Sequence, residues 1–148
     1  MTHPVRPIEI LLVEDSSTDI LMAREALSEA KVLNHLNVAE NGEEALRFLH
    51  RQEPFADAPR PDLILLDLNM PRRNGQEVLN EIKTDEMLKR IPVVILTTSR
   101  ADQDVLEAYG LHANCYITKS LDFGRFTEVV RSIEQFWLCV ATLPPHPA

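Results

Sequence analysis

Two adjacent acids, Glu14 and Asp15, directly follow the apolar run IEILLV, and a third, Asp67, directly follows LILL. Thr97 follows VVIL, and Lys119 follows CYIT. Carboxylates gathered in one place repel: at about 4 Å and an effective dielectric near 20, each unit-charge pair costs about 4 kcal/mol. A divalent cation removes that penalty. An all-oxygen site suits Mg2+, which is commonly held by one or two carboxylates together with phosphate oxygens and water. A carboxylate can itself be the nucleophile, as in aspartyl-phosphate chemistry. Lys119 would then neutralise charge on the transferring phosphoryl group, and Thr97 would donate a hydrogen bond to it. One polar residue at the end of an apolar run means little by itself. Four such ends agreeing in chemistry point to a phosphoryl-transfer site, provided that the fold brings them together.

The elements that must do so alternate between strand-length apolar runs and segments of helical period. Ile8–Val13 reads as a first strand. After the capping residues Ser16 and Ser17, the residues Ile20, Ala23, Leu27 and Ala30 share one helical face. Leu36–Ala39 is a weaker second strand, and Asn41-Gly42 leads into a short helix with Ala45, Leu46 and Leu49 on one side. Arg51 to Pro61 is polar, carries Pro54, Pro59 and Pro61, and reads as a loop. Leu63–Leu66 is a strand buried on both faces, ending at Asp67.

A third helix carries Val78, Leu79 and Ile82. Ile91-Pro92 then precedes a buried strand, Val93–Leu96. A fourth helix is expected around Val105, Leu106 and Tyr109, and Cys115–Ile117 is a short fifth strand. The last helix carries Phe123, Phe126, Val130, Ile133 and Trp137 at alternating three- and four-residue spacing. Five strand–helix units in alternation predict a doubly wound α/β fold, flavodoxin-like, with parallel strand order 2-1-3-4-5 and helices on both faces. In that order the first and third strands are neighbours at the switch point, where ligands of open α/β sheets bind.

Composition excludes several other classes. The length of 148 residues suits a single domain. With 15 basic against 23 acidic residues the formal charge is −8, which disfavours binding to nucleic acid. No apolar run approaches a membrane span, and MTHPVRPIEI lacks the apolar stretch of a secretory signal, so a cytoplasmic protein with no membrane partner is expected. Cys115 and Cys139 are too few for a disulfide framework and are read as buried thiols. The four glycines, Gly42, Gly75, Gly110 and Gly124, are too dispersed for a phosphate-cradling or dinucleotide-binding loop. The five histidines show no zinc-ligand spacing, and no nucleophile elbow starts a serine triad.

From about Ile8 to Trp137 the chain resembles the receiver domain of two-component response regulators. The residues that carry the resemblance are Glu14-Asp15, Asp67-Leu68-Asn69-Met70-Pro71 with Gly75, Thr97 after VVIL, and Lys119 in YITK. The resemblance implies an N-terminal arm over 1–7, a receiver over 8–138 and a tail over 139–148. It implies that Asp67 accepts a phosphoryl group from a phosphohistidine of a sensor histidine kinase. Mg2+ would be held by Asp15, Asp67 and the backbone carbonyl of Asn69, with Glu14 acting through water. Thr97 and Lys119 would grip the phosphoryl oxygens, and Tyr116 would be the aromatic switch that turns inward as Thr97 moves. Asn69 and Ser99 stand where the family tunes dephosphorylation. Such a protein is not an enzyme on an external substrate; it promotes only its own Mg2+-dependent phosphorylation and dephosphorylation.

Ser120 departs from the family, which usually has proline after the lysine; a cis bond there without proline would cost about 2.5–4 kcal/mol. The loop from Arg51 to Pro61 also looks longer than the family norm. That loop, the Thr97-Thr98-Ser99 run, CYITKS and the FWL…TLP ending resemble the small stand-alone regulators paired with cyanobacterial phytochromes. A phytochrome-type kinase is then the implied phosphodonor. The tail is too short for a DNA-binding output module, so output is expected through protein contacts. Surplus apolar residues on the last helix (Val129, Phe136, Leu138 and Val140 beside the core row) make either a wide core-facing stripe or a homodimer or partner interface that includes Phe136, Trp137 and Leu138. Two alternatives stand beside this reading. An aspartate-nucleophile phosphatase would need a general acid where Asn69 stands, and an amide cannot serve. A degenerate receiver, acting only as an interaction scaffold, is kept open by Ser120.

Overall fold

A computed structural model describes residues 7–29, 33–68, 75–97 and 115–118. Its elements are β1 (Ile8–Val13), α1 (Ser17–Ser28), β2 (Asn34–Ala39), α2 (Gly42–Leu49), β3 (Leu63–Asp67), α3 (Gly75–Thr84), β4 (Val93–Thr97) and β5 (Cys115–Thr118). The five strands form one parallel sheet in the order β2-β1-β3-β4-β5, the expected flavodoxin-like arrangement. The expected fourth and last helices, with Phe136, Trp137 and Leu138, lie outside the described residues, as do Ala30, Asn69, Ser99, Lys119 and Ser120.

Local chemistry sets the helix ends. Ser16 Oγ accepts the Asp19 N–H at 3.3 Å to start α1, and Asn41 Oδ1 accepts the Glu44 N–H at 2.8 Å to start α2. At the other end of α2, the Gln52 N–H reaches Arg47 O at 2.9 Å and the Arg51 N–H reaches Phe48 O at 3.2 Å. This double closure puts Arg51 at φ 52°, a left-handed conformation that glycine adopts more readily.

The sheet divides the apolar interior in two. Leu11, Val13, Ile64, Leu66, Val93 and Ile95 face the side covered by α2 and α3. Ile8, Ile10, Leu12, Leu63, Leu65, Val94 and Leu96 face the side where Ala23 and Leu27 of α1 pack. Alternate residues of one run therefore serve opposite layers, which is why β1, β3 and β4 are apolar almost throughout. Each fully buried aliphatic side chain contributes about 1.5–3 kcal/mol, so these three strands dominate the stability of the sheet.

β2 is two residues longer than its apolar content predicts, and the reason is polar. Asn34 Nδ2 donates to Leu27 O at 2.8 Å, and Asn37 Nδ2 donates to Glu9 Oε2 at 3.0 Å and to Ile10 O at 3.2 Å. His35 Nδ1 lies 2.8 Å from the same Glu9 oxygen. An edge strand can satisfy polar side chains in this way, which the central strands cannot. Among the described residues, no helix is long and apolar enough to cross a membrane.

Candidate functional site

Each acid owes its position to the carboxyl end of a strand. Glu14 lies one residue past β1 and still donates its N–H to Ala39 O at 3.0 Å, keeping the backbone in register with β2. Its Oε1 accepts the Ser16 N–H at 3.2 Å, so the turn that caps α1 also orients this carboxylate. Asp67 is the last residue of β3, opposite Leu96 of β4, and the next N–H, that of Leu68, donates to Leu96 O at 3.2 Å. Because β1 and β3 are neighbours, the turn after one lies beside the end of the other.

The outcome is a cluster: one carboxylate oxygen from each of Glu14, Asp15 and Asp67 lies within 4.8 Å of the other two. Glu14 and Asp67 are 1% and 3% exposed, whereas Asp15 is open to solvent. Two acids are thus withdrawn from water while a third guards the entrance. Gathered carboxylates repel one another, and a bound cation would relieve that repulsion. An all-oxygen donor set with one solvent-facing side fits a hard divalent ion that keeps some of its water, and lacks the imidazole or thiolate that zinc favours. The residues present fit such an ion.

Thr97 ends β4, one residue beyond the partner of Asp67, and pairs with Thr118 of β5. The residue after Thr118 is Lys119. Tyr116 occupies the β5 position opposite Ile95. The acids are therefore brought together, and Thr97 reaches the same rim through its backbone.

Two residues that fix the ends of β3 were not legible as such. Asp62 is a buried carboxylate at the opposite end of β3, where its Oδ2 accepts the Glu9 N–H at 2.8 Å. Nothing in its local sequence marks it, because its partner is 53 residues away. Gly75 belonged to the recognised motif, but its contact with the end of β3 is a matter of distance that no spacing encodes.

Comparison with known proteins decides the family: residues 10–131 match the model of the response regulator receiver domain. The chain belongs to that family. This receiver is 48% identical to the response regulator Rcp1 of Synechocystis sp. over 138 residues, 93% of this chain and 94% of that protein. Its structure is similar to that of the phosphorylated cyanobacterial phytochrome response regulator RcpA, with a TM-score of 0.85 and 48% identity over 95% of this chain and 100% of that one. It is also similar to the Mn2+-bound form of Rcp1, with a TM-score of 0.83 and 47% identity over 94% of this chain and 100% of that one. A response regulator in two-component signalling, close to the cyanobacterial phytochrome regulators, is therefore what this receiver is. The expected resemblance is borne out at both the family and the subgroup level.

Proposed function

We propose that this receiver takes a phosphoryl group onto Asp67 from a phosphohistidine of a phytochrome-type sensor histidine kinase. The observation that carries the reading is the convergence of the Glu14, Asp15 and Asp67 oxygens within 4.8 Å at the carboxyl rim of the sheet. An oxygen of Asp67 attacks phosphorus, the P–N bond to the donor imidazole breaks as the P–O bond forms, and the imidazole takes up a proton. Hydrolysis later returns phosphate and the free carboxylate. Bound Mg2+ supplies charge neutralisation for the phosphoryl oxygens. Asp15, Asp67 and the backbone carbonyl of Asn69 would hold it, with Glu14 acting through water.

Thr97 and Lys119 take the phosphoryl oxygens from the other side, a role supported by the pairing of Thr97 with the residue before Lys119. Movement of Thr97 toward the phosphoryl group lets Tyr116 turn inward, and Asn69 and Ser99 tune the lifetime of the phosphorylated state. The protein acts in the cytoplasm, without nucleic acid or membrane, through protein contacts and a homodimer that uses Phe136, Trp137 and Leu138.

The test is phosphotransfer. Incubation with a phosphorylated phytochrome-type kinase or a small phosphodonor labels the wild-type chain only when Mg2+ is present, and Asp67→Asn is not labelled. Equal labelling of that variant overturns the acceptor assignment. Sedimentation before and after transfer checks the dimer; a monomer in both states at tens of micromolar removes it.

A further inference from the structure

The backbone of Leu68, the residue after Asp67, is held from two sides. On one side the Leu68 N–H donates to Leu96 O of β4 at 3.2 Å. On the other, Gly75, the first residue of α3, donates its N–H to Leu68 O at 3.3 Å. The approach is closer than any side chain allows. A Cβ on Gly75 would stand 2.5 Å from Leu68 Cα, 2.6 Å from the Asp67 carbonyl oxygen and 3.1 Å from Leu68 Cδ2. The two nearest atoms are backbone and cannot swing aside as the tip of a side chain can. Nor is α3 free to withdraw, because Val78, Leu79 and Ile82 are fully buried in the core shared with Ile64, Leu66, Val93 and Ile95. A methyl group at position 75 must therefore displace the peptide that follows the reactive carboxylate.

We propose that Gly75 is a positioning residue for Asp67. By carrying no Cβ it fixes where the end of β3 sits, and with it the place of the Asp67 carboxylate against Glu14 and Asp15. This rests on the reading of Asp67 as phosphoryl acceptor. It adds that affinity for the divalent ion and speed of phosphorylation are set by a steric contact made from α3. Groups that orient metal ligands without touching the metal commonly change affinity or activity about 10–100-fold when altered.

The experiment measures Mn2+ affinity by titration of the free-ion paramagnetic resonance signal, and labelling by acetyl phosphate. Wild type, Gly75→Ala and Leu79→Ala are compared, each corrected for the fraction folded by circular dichroism. Leu79→Ala loosens the same helix without crowding Asp67. Gly75→Ala is expected to bind Mn2+ at least about tenfold more weakly and to label correspondingly slowly, while Leu79→Ala keeps wild-type affinity per folded molecule. Equal affinities in the two variants overturn the proposal. If Gly75→Ala is unfolded in buffer, all three chains are compared in trimethylamine N-oxide, which favours the compact state. Absence of labelling in the wild type counts against the acceptor assignment alone, and the Mn2+ titration still decides the role of Gly75.

Discussion

β3 is bracketed by two buried aspartates that do opposite things. Asp62, 6% exposed, stands just before the strand, and its Oδ2 accepts the Glu9 N–H at 2.8 Å. The Asp62 N–H donates in return to Glu9 O at 2.7 Å. Asp67, 3% exposed, ends the same strand with an oxygen within 4.8 Å of those of Glu14 and Asp15. The first carboxylate is matched to a backbone donor and ties β1 to β3. The second is grouped with two other carboxylates, and a cation would relieve the repulsion among them. Burial alone therefore does not mark an acid as functional; the sign of its neighbours does.

That contrast can be broken by exchanging side chains. Asp67→Asn is expected to eliminate phosphoryl labelling, while Asp62→Asn keeps the rate within about twofold of wild type, because the sites lie at opposite ends of the strand. A large loss of labelling in Asp62→Asn would show that the two ends are not independent. Stability should respond the other way. Asp62→Ala is expected to cost about 2–3 kcal/mol in urea unfolding, the loss of a charge-assisted hydrogen bond at a buried position. Without metal, Asp67→Asn is expected to raise stability by about 1–2 kcal/mol, because it removes one of three mutually repelling charges.

Metal reverses that order. An ion present at one hundred times its dissociation constant stabilises wild type by about 2.7 kcal/mol, and the variant gains less. Unfolding curves with chelator and with Mn2+ check both halves; the same order in both conditions would disprove the repulsion argument. The smallest effect belongs to neither aspartate. Arg51→Gly is expected to add about 0.5–1 kcal/mol by relieving the left-handed backbone after α2, with labelling unchanged.

The sequence announces the central strands because they are buried on both sides. Ile8–Val13, Leu63–Leu66 and Val93–Leu96 have almost no polar residue to obscure them, and the chemistry starts where each run stops. Asp67 and Thr97 are the last residues of β3 and β4. The edge strand is harder to see in the sequence for the converse reason. Asn34 and His35 carry loop chemistry locally, and only partners on Leu27 and Glu9 make them strand residues. Clustering of Glu14, Asp15 and Asp67 was legible because parallel topology places strand ends together. The closeness of Gly75 to Leu68 was not, since it depends on a few tenths of an ångström between a helix start and a strand end.

The reciprocal bonds between Glu9 and Asp62 also govern how force travels. They rivet β1 to β3 at the floor of the sheet, so these two strands cannot slip lengthwise past each other. Load applied at the upper rim by the proposed phosphorylation of Asp67 would then pass sideways. On one side it meets α3, backed by Val78, Leu79 and Ile82 in the core; on the other lie β4 and, beyond it, β5 at the outer margin. Under the proposed phosphorylation, a chain built in this way would turn a chemical event at one carboxylate into motion along a chosen direction.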